Sequence, residues 1–224
     1  MSLQQELPKE LSINILRPFG PRMLHTNIPE QFVNKLNAQC DEILKSEEER
    51  KEKDASGDLV GHVVEELACD IDKIENFGSA LYSLTNALYT NFLTERNEMT
   101  EKNKPDKLAI HNCWFVRSFK HDYNPTHIHT NGNYSCVLYL KVPDSISEKN
   151  TKNTKKGYAT EGYIDFIYGS STVVSPGNLC CKPAVGDIYI FPSFLFHTVY
   201  PFYGEGERRT FSANMSLTKN EENE

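Results

Sequence analysis

Gly186-Asp187-Ile188-Tyr189-Ile190-Phe191-Pro192-Ser193-Phe194-Leu195-Phe196-His197 reads as a tight turn, a buried strand, a second turn and the start of another strand that carries a histidine. Gly-Asp before an apolar strand is an ordinary turn, and a histidine in Leu-Phe-His-Thr-Val is by itself more often structural than a ligand. The context upstream changes that reading. His127-Ile128-His129 stands between the turn-rich Asp122-Tyr123-Asn124-Pro125 and the apolar strand at 134–140. Side chains alternate along extended backbone, so His127 and His129 project from one side. A third imidazole from a distant strand, His197, completes one triangular face around a divalent metal and leaves the opposite positions open for chemistry.

The flanking sequence has the texture of strands. From residue 108 on, short apolar or alternating runs at 108–119, 134–142, 162–168, 171–175, 179–182, 186–191, 196–200 and 209–217 are separated by Pro, Gly and Asn. Ahead of them, residues 11–16 alternate as a strand that Pro18, Gly20 and Pro21 end. Phe32, Leu36, Cys40 and Leu44 recur every four residues and predict a helix over 29–44. Ile74, Phe77, Leu81, Leu84, Leu88 and Phe92 form an apolar stripe that predicts a core-facing helix over 71–97. The charged run 47–57 reads as a fraying helix end and a loop. Two helices before some eight strands predict an α+β domain: a double-stranded β-helix, or jelly-roll, cupin-like barrel, with the N-terminal helices packed on one sheet. A single domain is expected, with 1–107 giving the first strand and supporting helices, 108–218 the jelly-roll core and 219–224 a disordered tail.

Composition narrows the function classes. A chain of 224 residues with 38% hydrophobic and 25% charged residues suits one soluble domain with polar loops. No apolar run approaches the roughly 20 residues that span a bilayer, and the first residues lack a secretory signal, so a cytoplasmic location and no membrane partner are expected. Six cysteines without a CxxC pair read as reduced thiols. A net charge of -7 argues against a nucleic-acid partner, which needs clustered cations. Lys149, Lys152, Lys155 and Lys156 are a local exception and read as a solvated loop.

These motifs together resemble the iron(II) and 2-oxoglutarate-dependent oxygenases, near the prolyl-hydroxylase-like branch. More narrowly, the chain is similar to a family of oxygenases from marine bacteria and their phages, which would put it in the host cytoplasm if phage-encoded. The resemblance covers about 110–217 and rests on the histidine cluster, Ser135-x-x-x-Tyr139-Leu140, the stretch 186–197 and the arginines of the last strand. It implies iron(II), 2-oxoglutarate and dioxygen as cofactor and cosubstrates, with His127 and His197 as iron ligands. His129 falls where most of the superfamily has Asp or Glu, so a three-histidine face, a carboxylate from Asp122 or Asp144, or a site with two protein ligands stay open.

The resemblance also implies a cation for the far carboxylate of 2-oxoglutarate, for which a guanidinium is best shaped. Arg208 and Arg209 compete for that role. Arg208, Thr210, Ser212 and Asn214 share one polar face, whereas Phe211, Ala213 and Met215 share an apolar one with Arg209, and a polar barrel interior selects Arg208. Tyr139 matches a tyrosine that hydrogen-bonds the same carboxylate, with Ser135 and Val137 on its face. Arg117 and Asn112, on the preceding strand, are candidates to reach cosubstrate or substrate, and Trp114 reads as a packing residue.

The resulting expectation is an oxygenase that couples 2-oxoglutarate breakdown to succinate and CO2 with hydroxylation of a peptide or protein residue, or of a small metabolite. A cupin-like dioxygenase or isomerase that does not use 2-oxoglutarate, and a non-catalytic small-ligand barrel, are the competing readings. The polar segments 98–107 and 144–160 are expected to flank the mouth and choose the substrate. Oligomeric state stays open, a homodimer included.

Overall fold

The computed structural model describes residues 20–58, 61–146 and 160–218. In chain order they form β1 (Leu24–Asn27), α1 (Glu30–Ile43), α2 (Glu47–Glu52), β2 (Glu65–Ala68), α3 (Phe77–Glu95), β3 (Lys107–Ser118), β4 (Asn124–His127), β5 (Tyr134–Lys141), β6 (Ile164–Ile167), β7 (Asn178–Cys181), β8 (Asp187–Pro192), β9 (Phe196–Val199) and β10 (Arg208–Thr218). A six-stranded sheet in the order β1-β8-β5-β10-β3-β2 faces a four-stranded sheet in the order β4-β9-β6-β7. Every pairing is antiparallel. This is the double-stranded β-helix that the strand pattern predicts.

Strand parity divides the large sheet into two faces. Cys136, Leu138 and Leu140 of β5, Ile188 and Ile190 of β8, and Phe211, Ala213 and Met215 of β10 bury against Phe32, Leu36 and Cys40 of α1 and Phe77, Leu81 and Leu88 of α3. The residues between them in sequence, Tyr139, Tyr189 and Phe191, point the other way and pack with Ile164, Phe166 and Leu195 between the sheets. Phe211 is fully buried with Phe77 5.3 Å and Phe115 6.3 Å away, ring centre to ring centre. Phe211→Ala should therefore cost about 3–5 kcal/mol, read as a lower urea midpoint; a loss under about 1 kcal/mol would contradict this packing.

Several elements differ from the sequence expectation. Residues 47–52 are helical because Ser46 accepts a hydrogen bond from the Glu49 N–H at 3.2 Å, with acidic residues in the first turn and Arg50 and Lys51 in the last. The long helix starts at Phe77, since Asn76 is left-handed with φ 64° and interrupts the run after a short 3₁₀ turn at Ile71–Lys73. No strand forms at 171–175, where Val173 and Val174 are fully exposed in the β6–β7 connection. β1, β2 and β4 were not foreseen, and the strand expected at 11–16 lies outside the described residues, as do the four lysines of 149–156 and the tail 219–224. Among the described residues no helix is long and apolar enough to cross a membrane, and all six cysteines are free thiols.

Candidate active site

His127 ends β4, and its cross-strand partner in β9 is His197, so one pair of the small sheet fixes two imidazoles side by side. His129 lies two residues on, where its backbone N–H donates to the Ser193 carbonyl at 2.9 Å in the β8–β9 turn. Ring centres are 4.2 Å apart for His127 and His197, 5.2 Å for His127 and His129, and 5.1 Å for His129 and His197. One nitrogen from each ring lies within 4.8 Å of the others. Nδ1 of His127 is 2.8 Å from the Pro125 carbonyl and Nδ1 of His197 is 2.9 Å from the Leu195 carbonyl. A carbonyl only accepts, so each Nδ1 carries the proton and each Nε2 presents its lone pair to the centre of the triangle. Neutral imidazoles held this way are a fit for a divalent transition metal.

Among the described residues this is the one cluster of metal-binding groups. Asp122 turns away, accepting the Phe119 N–H at 2.7 Å with His62 beyond it at 3.6 Å, and Asp144 is exposed outside the cavity. Burial keeps the imidazoles neutral: it lowers His127, brings His129 down to about 4 with help from His127, and takes His197 to about 3. In the unfolded chain His197 titrates at about 6.5. The folded state thus binds fewer protons below that value, and stability falls as pH drops from about 6.5 toward 3. Unfolding of metal-free protein should show this as an excess slope of about 1.4 kcal/mol per pH unit over His197→Gln between pH 6 and 4; identical slopes would refute it.

The triad opens into a cavity of about 540 Å³ between the sheets, walled by Val137, Tyr139, Ile164, Phe191, Val199 and the Arg208, Thr210, Ser212, Asn214 face of β10. Arg208 is 3% exposed, and its Nη1 donates to the carbonyls of Gly162 at 3.1 Å and Tyr200 at 3.2 Å, with the Phe202 ring 5.4 Å below. Among the described residues no carboxylate pairs with this buried cation. The Tyr139 hydroxyl lines the same cavity, buried and without a hydrogen-bond partner, and burial pushes the phenol well above its ordinary range. A buried guanidinium and an unsatisfied O–H donor are what a carboxylate ligand would complete.

The other expected residues separate cleanly. Arg209 faces the helices, bonded to Asp41 at 2.7 Å, Glu207 at 2.9 Å and Asn37 at 3.1 Å. Arg117 does not reach the cavity: it is the cross-strand partner of Arg209, shares its face, and sits between Glu65 and Glu207 at 2.7 Å each. Ser135 stands one layer behind the wall, donating to Asn214 Oδ1 at 2.8 Å and bonded to Ser193 at 2.9 Å. This fixes the Asn214 amide so that its NH2 is available to the cavity.

Asn112 and Trp114 do line the cavity. The Trp114 ring is 5.8 Å from that of His129, and its indole lies close enough to Glu66 of β2 to act on the carboxyl. Glu66 and Asn124 complete the wall and were not anticipated. A Glu65-Glu66 pair in a short apolar stretch carries no sequence signal of a site.

Residues 112–214, just under half of the chain, match a family described as "Putative 2OG-Fe(II) oxygenase". No curated protein matches. Similar solved structures include a Pseudomonas putida prolyl-4-hydroxylase, 13% identical with a TM-score of 0.55 over 88% of this chain and 92% of that one. A prolyl hydroxylase from Trichoplax adhaerens, solved with a hypoxia inducible factor peptide fragment, is 13% identical with a TM-score of 0.52 over 85% and 81%. The non-heme alpha ketoglutarate dependent epimerase SnoN of nogalamycin biosynthesis is 13% identical with a TM-score of 0.54 over 86% and 76%. The shared fold is the double-stranded β-helix.

Proposed function

We propose that the barrel, which matches a 2OG-Fe(II) oxygenase family over residues 112–214, holds iron(II) on Nε2 of His127, Nε2 of His197 and a ring nitrogen of His129, and binds 2-oxoglutarate between the metal and Arg208. The family works with iron(II), 2-oxoglutarate and dioxygen, and the three-nitrogen face fits that metal. The observation that carries the reading is the pairing, in one cavity, of the triad with a buried guanidinium that forms no salt bridge among the described residues. A cupin-like enzyme working without 2-oxoglutarate would have no use for that cation.

When bound, iron(II) supplies the dioxygen chemistry that couples loss of CO2 from 2-oxoglutarate to oxidation of the substrate. The chain's own residues do the rest. Arg208 offers an N–H fork and Tyr139 an O–H to the far carboxylate, replacing the water that burial removes. Asn214, locked by Ser135, offers its NH2 to the same interior. Ile164, Phe166 and Phe191 form the apolar wall beside the metal face and keep solvent from it. We infer hydroxylation of a peptide residue or a small metabolite, the kinds of substrate named for the similar folds. A reducing compartment such as the cytoplasm suits ferrous iron and six free thiols. Purified protein loaded with iron(II) should release succinate from 2-oxoglutarate; iron-loaded protein that binds 2-oxoglutarate neither in equilibrium titration nor in turnover would overturn the reading.

A further inference from the structure

The β2 margin of the cavity wall, two strands away from the β10 face, has a contrary polarity. Glu66 on β2 is the cross-strand partner of Val116, and both line the cavity, with Trp114 close enough to act on the Glu66 carboxyl. Asn124 lines the same cavity, with its Oδ1 buried against Gly61 and without a hydrogen-bond partner. Gly61 leaves the space that this amide fills, since a side chain at 61 would collide with Asn124 Oδ1. Asp54, close enough to raise the Glu66 carboxyl further, adds a second negative charge behind it. The donors Arg208 and Tyr139 thus stand on β10 and β5, and an acid stands on β2 beside an indole ring. An acid next to an aromatic ring is the pairing that best receives a cation.

We propose that Glu66, with Trp114 and Asn124, is the substrate-recognition element of this site and takes a cationic nitrogen, so that the substrate carries an ammonium or guanidinium group. The proposal rests on the oxygenase reading for its reaction, but the binding it describes does not need the metal. Burial pushes the Glu66 carboxyl up to about 7, as befits an acid in an enclosed wall that lacks its counter-ion.

Trp114 is the only tryptophan of the chain, so its indole N–H gives a single, unambiguous resonance at the proposed site. Full-length 15N-labelled protein, both metal-free and loaded with zinc and 2-oxoglutarate, is titrated with n-butylammonium, n-butylguanidinium, n-butanol and butyrate. The expected result is a saturable shift with one or both cations, the tighter of them identifying the nitrogen group, and a weaker response by about tenfold or more in Glu66→Gln, with 2-oxoglutarate affinity unchanged. Equal binding of butanol or butyrate, no saturable shift with either cation, or undiminished cation binding by Glu66→Gln would each overturn the proposal. If Glu66→Gln does not fold, the comparison of charged with neutral probes on the unaltered protein still decides. Failure of the oxygenase reading would be seen separately, as absence of 2-oxoglutarate binding in the metal-loaded sample.

Discussion

Arg208→Ala raises the apparent 2-oxoglutarate KM about a hundredfold or more, while Arg209→Ala leaves it within about twofold and instead lowers stability by about 3–5 kcal/mol. The two arginines are neighbours in sequence and opposites in space. Arg208 lines the cavity with backbone carbonyls as its hydrogen-bond partners among the described residues, which leaves its charge available to a dicarboxylate. Arg209 points under α1 into a finished network of Asp41, Glu207 and Asn37. Truncating a buried partner of a charged pair costs about 2–5 kcal/mol, and each 1.4 kcal/mol is tenfold in affinity. Arg208→Lys should recover part of the loss, since an ammonium keeps the charge but not the fork. Steady-state kinetics and equilibrium titration of 2-oxoglutarate check this; an unchanged KM in Arg208→Ala would remove Arg208 from the cosubstrate site.

The second large effect is on the metal. His197→Ala should lower turnover by about three orders of magnitude or more and release iron(II) at concentrations that saturate the unaltered protein, because His197 is the most buried of the triad and the strand partner of His127. His129 stands where a carboxylate is usual, and its two substitutions separate the alternatives. With a three-imidazole site, His129→Ala follows His197→Ala in losing metal, and His129→Asp, which restores the commoner donor set, keeps activity within about tenfold. Full metal binding and turnover in His129→Ala would mean that only His127 and His197 hold the ion. Metal content by mass spectrometry and succinate release give the two readouts.

How much of this was legible follows from what specifies each element. The stretch 186–197 and the β10 face were readable because alternation and turn residues are local signals: Thr210, Ser212 and Asn214 line the cavity and Phe211, Ala213 and Met215 meet the helices, as parity requires. β1, β2 and β4 were not, since each has four residues and takes its extended form from its partner. Asn124-Pro125-Thr126-His127 even has turn chemistry, yet β9 pairs with it. The placing of Arg117 at the site could have been caught. Asn112, Trp114 and Val116 share one parity on β3 and line the cavity, while Arg117 has the parity of Phe115 and Cys113, which face β10's Phe211 and Ala213. Glu66 was beyond reach, because its role depends on the register of a strand that the sequence does not announce.

The position of His127 at the end of an edge strand has a mechanical corollary. β4 is held to β9 by an interrupted ladder that aligns only Asn124 with Val199 and His127 with His197. An ion shared by His127, His129 and His197 would act as a clasp, riveting that margin to the sheet and contributing binding energy to fold stability in proportion to the logarithm of metal concentration. Chelation should then do more than silence the enzyme: it should loosen the segment from Asn124 to Thr130, visible as faster amide exchange there while the ladder between β5 and β10 stays protected.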